Sequence, residues 1–78
     1  MKITVKLYGD LRKFATHTKP HRWEGVLPNS ANIGSLIEKI SCPPKQVVRV
    51  IRDGLPVDDN TELNDGDLLY FLSRLGGG

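Results

Sequence analysis

The chain ends Ser73-Arg74-Leu75-Gly76-Gly77-Gly78, and this ending carries the group best placed for chemistry. Glycine lacks a Cβ and has the backbone most costly to order, so three in a row at a terminus add nothing to a fold. Directly before the tail runs Leu68-Leu69-Tyr70-Phe71-Leu72, apolar and long enough for one strand. A thin arm with a carboxylate at its tip, rooted in a rigid sheet, has the shape needed to enter another protein's active site. The expectation is that the Gly78 carboxylate is the functional group and that the remaining residues hold and present it. The alternative is an idle terminus, since chain ends are commonly disordered and tolerant of change.

Other residue types that could do chemistry are sparse. His17, His21 and Cys42 do not make a metal set. Two histidines four apart share a face only on a helix, Thr18 to Pro20 argues against one, and a structural site wants a fourth ligand. Cys42 as a nucleophile would need a base and an electropositive pocket; neither is visible, and a packing role at a helix end is expected. Asp65-Gly66-Asp67 offers two carboxylates without the remaining ligands of a calcium loop, and reads as a turn. Arg49, Arg52 and Arg74 form either a solvated face or a basic rim that meets an acidic partner.

Seventy-eight residues make one domain. The net charge of +2 comes from eleven basic and nine acidic residues spread along the chain; nucleic-acid binding asks for a clustered basic face, so none is expected. A single cysteine excludes an intramolecular disulfide framework and suits a reducing cytosol. Lys2 to Tyr8 alternates where a signal peptide would be continuously apolar, and no apolar run approaches the ~20 residues of a membrane span. A soluble, cytoplasmic protein with no membrane partner is expected.

Positioning falls to a short set of elements. In Lys2-Ile-Thr-Val-Lys-Leu-Tyr8, Ile3, Val5 and Leu7 face one way and Lys2, Thr4, Lys6 and Tyr8 the other, the pattern of a half-buried strand. Gly9-Asp10 breaks it, and Leu11 with Phe14 suggests one helical turn that covers the core. His21 to Leu27 reads as a second strand, antiparallel to the first, with Trp23 and Leu27 on the core face; Gly25 between them marks a bulge or a close backbone approach. Ile33, Leu36, Ile37 and Ile40 make a helical stripe, with Asn32 as N-cap and Asn29 or Ser30 as the fallback, Pro43-Pro44 as the stop, and Gly34 admitting a neighbouring strand. Val47 to Arg52 reads as a third strand with Val48 and Val50 inward and Arg49 and Ile51 outward, closed by the Asp53-Gly54 turn. Leu55-Pro56-Val57 suits an edge strand. Asp58 to Asn64 is a polar crossover pinned by Leu63. In the last strand Leu69 and Phe71 face the core, and Leu68, Tyr70 and Leu72 the opposite side. An α+β architecture follows: a mixed four- to five-stranded sheet clasping one main helix, a β-grasp, over residues 1–73, with 74–78 as a flexible tail.

Lys2-Ile-Thr-Val-Lys-Leu-Tyr-Gly-Asp-Leu-Arg12, Leu27-Pro28 through Asn32-Ile33-Gly34-Ser35-Leu36-Ile37-Glu38-Lys39-Ile40, Leu63-Asn64-Asp65-Gly66-Asp67 and the terminal Gly77-Gly78 stand in this order along the whole chain. Together they resemble the ubiquitin-like sulfur carriers of the MoaD/ThiS family, which includes the small subunit of molybdopterin synthase and the thiamine-pathway carrier. Leu72-Ser73-Arg74-Leu75 departs from the Pro-Pro pair common in the molybdopterin branch, and is nearer to ubiquitin's own Leu-Arg-Leu-Arg-Gly-Gly ending. Gly76 adds an unusual third glycine. These departures leave the pathway open.

The resemblance implies a ubiquitin-activating-type adenylyltransferase as partner. That enzyme would use ATP to adenylate the Gly78 carboxylate, and persulfide sulfur would displace AMP to leave a thiocarboxylate, the sulfur donor for molybdopterin, thiamine or related biosynthesis. Gly76 and Gly77 would thread a channel too narrow for side chains. The carrier itself would be no enzyme and would bind no cofactor, and a larger synthase subunit is a second candidate partner. Ile51, Tyr70 and Leu72 on the open sheet face, with Arg74 and Leu75 and with Tyr8 and Leu68 as neighbours, are the expected docking residues. Two other readings remain: a protein modifier joined to lysines through Gly78, and a β-grasp interaction module, for instance RNA-binding, with an idle tail.

Overall fold

The structure, a computed structural model, describes residues 1–15, 21–41 and 47–73. His17, Cys42, Arg74, Leu75 and Gly76–Gly78, and with them the expected tail, lie outside the described residues, as does the Pro43-Pro44 helix stop.

Five strands form one sheet: β1 (Lys2–Leu7), β2 (Arg22–Val26), β3 (Val47–Arg52), β4 (Leu55–Val57) and β5 (Leu68–Ser73). Their order is β2-β1-β5-β3-β4. β5 is central, parallel to β1 and antiparallel to β3, while β1/β2 and β3/β4 are antiparallel pairs. The helix α1 (Ile33–Ile40) buries Ile33, Leu36, Ile37 and Ile40, in one cluster with Ile3, Val5 and Leu7 of β1, Val50 of β3, and Leu69 and Phe71 of β5. One helix on one face of a mixed sheet is the β-grasp expected, because α1 carries the apolar stripe that the inward face of β1 and β5 requires.

A 3-10 helix, η1 (Gly9–Phe14), closes one end of this core with a fully buried Leu11 and a partly buried Phe14. Gly25 sits in an unbroken register with Ile3, so there is no bulge. Instead the Trp23 indole lies across it, where a Cβ would collide with the ring, and on this edge strand Trp23 remains half-buried.

The start of α1 leaves no backbone donor idle. Asn32 N–H reaches Ser35 Oγ at 3.4 Å, Ile33 N–H donates to Thr61 O and Gly34 N–H to Asp59 O, both at 3.0 Å, and Ser35 N–H donates to Asn32 Oδ1 at 2.9 Å. The first-turn amides of a helix need such outside acceptors, and here Asn32 and the crossover provide them. Gly34 thus admits the carbonyl of a turn where a strand was expected. Asn32→Ala should cost about 1 kcal/mol of stability, read by chemical denaturation. At the other end the helix stops at Ser41, which takes a left-handed conformation at φ 69°, before the two prolines are reached.

β3 departs from the expected alternation. Its register with β5 shifts between Val47 and Arg49, so Val47 packs against the core alongside Val50 while Arg49 stays exposed; the side chain of Val48 lies outside the described residues. Asp53 (φ 54°) and Gly54 (φ 80°) are both left-handed, the geometry of the tight β3–β4 hairpin. Leu63 is 4% exposed and pins the crossover.

Arg52 is not part of an outward basic rim. Its Nη1 donates to Glu62 O at 2.9 Å and pairs with Asp67 Oδ2 at 3.1 Å. The same Asp67 oxygen accepts the Asn64 N–H at 2.8 Å, and Asp65 Oδ1 accepts the Lys2 N–H at 2.7 Å. Both carboxylates of Asp65-Gly66-Asp67 therefore tie the turn to β1 and β3. Asp67→Ala leaves a half-buried guanidinium and a backbone amide without this acceptor, at a cost of about 1–3 kcal/mol, measurable as a lower urea midpoint.

Candidate functional site

The alternation that buries Leu69 and Phe71 turns Leu68, Tyr70 and Leu72 to the face opposite α1. Cross-strand pairing adds the neighbours: Tyr70 lies opposite Ile51 on β3 and beside Lys6 on β1, and Leu72 lies opposite Arg49. Three of the expected docking residues, Ile51, Tyr70 and Leu72, are thus brought together on one face, each half-buried. Arg74 and Leu75, the remaining two, lie outside the described residues.

Tyr70 is the hub of this face. The Tyr8 ring meets it edge-on, centroids 6.0 Å apart at 60°, and Lys6 Nζ sits 5.6 Å from its ring centroid, within cation–π range. Tyr8 (44% exposed) and Leu68 (40%) extend the apolar surface on either side. Ile51, Tyr70 and Leu68 line a shallow depression of about 180 Å³ that is closed by Asp53 and Gly54 of the hairpin. Such a dent suits one inserted side chain. Contiguous exposed apolar surface rimmed by polar groups marks interaction sites, and this surface is continuous with the end of β5.

Two participants escape a reading of the sequence. Lys6 is visible there only as an outward position of β1, because its approach to Tyr70 depends on the parallel β1–β5 register. Gly9 reads as a strand breaker, yet it borders Ser73, the last residue of β5. Among the described residues, no group of three or more His, Cys, Asp or Glu is placed to hold a metal ion, and no helix is long and apolar enough to cross a membrane.

A mixed sheet in this order, clasping one helix and carrying an open apolar face beside the end of its central strand, is the ubiquitin-like β-grasp fold. The same fold is found in SAMP1 from Haloferax volcanii, with a TM-score of 0.74 and 17% identity over 100% of both chains. It is also found in a protein described as molybdopterin converting factor subunit 1 from Pyrococcus furiosus, with a TM-score of 0.73 and 23% identity over 95% of this chain and 98% of that one. A third likeness is to a chain in the complex of subunits 1 and 2 of the molybdopterin-converting factor from Helicobacter pylori, with a TM-score of 0.62 and 19% identity over 100% of both chains. No protein-family model matches the chain, and no curated protein matches it in sequence.

Proposed function

We propose that this chain is a sulfur carrier whose Gly78 carboxylate is activated and converted to a thiocarboxylate by partner enzymes. In the first step a carboxylate oxygen attacks the α-phosphate of ATP, forming an acyl-adenylate and releasing pyrophosphate. A persulfide on the partner then attacks the acyl carbon and expels AMP, and a thiol cleaves the resulting acyl disulfide to free the thiocarboxylate. The carrier contributes no acid, base or metal to these steps. Its part is to dock and to deliver.

The observation that carries this reading is the placement of β5. It is the central strand, it ends at Ser73 beside the Tyr8–Tyr70–Ile51 face, and residues 74–78 continue from it. Five residues span at most about 16–18 Å when extended. Any active site reached by Gly78 therefore belongs to a protein seated against this end of the sheet, where the open apolar face lies. The likeness of fold to molybdopterin converting factor subunit 1 supports a sulfur acceptor of the cofactor-synthesis type, and the subunit pair from Helicobacter pylori supports a larger synthase subunit as a second docking partner.

A protein modifier is the second reading, favoured by the likeness to a small archaeal modifier protein and by the Leu72-Ser73-Arg74-Leu75 run before the glycines. Mass spectrometry of the protein from its native cells separates the two. A carrier gains the mass difference of sulfur for oxygen at its C-terminus, whereas a modifier leaves Gly-Gly remnants on the lysines of other proteins. Finding neither, with function intact after removal of Gly77 and Gly78, would sink both.

A further inference from the structure

The depression on the open face has apolar walls and one charged one: Ile51, Leu68 and Tyr70 on the apolar side, and Asp53 on the other, beside Gly54. Asp53 stands exposed in the β3–β4 turn, and its carboxylate has no ion pair among the described residues. The nearby cations are engaged elsewhere. Arg52 turns to Glu62 O and to Asp67, and Arg49 lines a separate groove with Asp59. Lys6 meets Tyr70 from β1, whereas Ile51 flanks Tyr70 from β3; β1 and the hairpin stand on opposite sides of β5.

Once a partner covers this face, the chemistry of the dent decides what fills it. A leucine or phenylalanine would suit the apolar walls but strip water from Asp53 without replacing it, and a carboxylate left unpaired under an interface is costly. An acidic side chain would meet like charge. An arginine or lysine matches both parts of the dent. Its methylene stem packs on apolar surface while its charged head stays at the polar rim, next to Asp53, and the cation is also attracted to an aromatic face such as that of Tyr70.

We propose that the dent between Ile51, Leu68, Tyr70 and Asp53 is a socket for an arginine or lysine side chain of the docking partner, with Asp53 as its counter-ion. That the partner is the activating adenylyltransferase rests on the carrier reading above; the preference of the socket for an amphipathic cation does not. Asp53→Asn isolates the charge. Asparagine has the same shape, and it tolerates the left-handed conformation that position 53 holds at φ 54°. Asn-Gly is also as favourable in a tight hairpin as Asp-Gly, so the thermal midpoint should not move.

Calorimetric titration of the full chain with the activating adenylyltransferase reads the consequence. Asp53→Asn should raise Kd about tenfold, because removing one member of a charge pair covered by an interface weakens binding. Glu38→Gln makes the same change in net charge on an exposed position of α1, on the other side of the sheet, and should leave Kd as it is. An unchanged Kd for Asp53→Asn overturns the proposal and leaves the carrier reading standing. So does an equal loss in Glu38→Gln, which would assign the effect to net charge alone. A second comparison needs no partner. The probes n-butylguanidinium and n-butylurea share a shape and differ in charge. In amide proton–nitrogen correlation spectra the guanidinium should shift Ile51, Asp53, Gly54, Leu68 and Tyr70 more than the urea does, and Asp53→Asn should remove the difference. If the wild-type chain binds no adenylyltransferase, the carrier reading fails and this comparison decides the socket: equal shifts from the two probes, or none, overturn it.

Discussion

Removing Gly77 and Gly78, or adding one residue after Gly78, is expected to abolish adenylation and sulfur transfer while leaving the thermal midpoint of the domain unchanged. The unchanged midpoint follows from where the stability resides. The buried cluster draws on β1, β3, β5, α1, η1 and the crossover, and a terminal glycine segment brings no apolar side chain to it. The loss of function follows from length. One residue moves the terminal carboxylate by about 3.3–3.6 Å, whereas misplacement by about 1 Å at a reacting centre already costs about 100-fold. Truncation and extension should therefore fail equally, although one shortens the arm and the other lengthens it. ATP–pyrophosphate exchange and the C-terminal mass of protein from native cells are the measurements. Normal exchange by the extended chain would remove the carrier and modifier readings together.

Much of the architecture is legible because periodicity is a local property. The two-residue alternation in β1 and β5, the Ile33–Ile40 stripe, the Asn32 cap and the Asp53-Gly54 hairpin each lie within about a dozen residues, and each is found in the structure. The features that escape depend on partners distant in sequence or on a phase that carries no chemical mark. In Val47-Val48-Arg49-Val50 three of four residues are β-branched and apolar, so nothing local reveals the shift that places Val47 against the core. Arg52 alone looks like a surface cation; its commitment to Asp67 arises only when β3 and the turn before β5 meet. The candidate site divides along the same line. Ile51, Tyr70 and Leu72 follow from alternation, whereas Lys6 over Tyr70 and Gly9 against Ser73 need the β1–β5 register and the corner beyond it. Composition records none of that.

Phe71→Ala and Tyr70→Ala, one residue apart, should give opposite phenotypes. Phe71 is wholly buried in the central strand, and truncating a buried phenylalanine costs about 3–5 kcal/mol through lost burial and the cavity left behind. A domain of 78 residues has about 4–12 kcal/mol in total at ~0.05–0.15 kcal/mol per residue, so this one change consumes a large share of it. The expected result is a cooperative thermal transition strongly lowered or lost. Tyr70 points the other way. Its ring touches Tyr8 and Lys6 on the open face, and its removal creates no cavity in the core, so the stability should fall by about 1 kcal/mol or less. Partner affinity should instead fall by about 2 kcal/mol or more, since central aromatic residues dominate binding energy at protein interfaces; calorimetric titration with the activating enzyme checks it. A stable Phe71→Ala chain would contradict the core described for β5. A Tyr70→Ala chain with undiminished affinity would place docking elsewhere, and the tail would then have to reach its active site from a face other than the one beside which β5 ends.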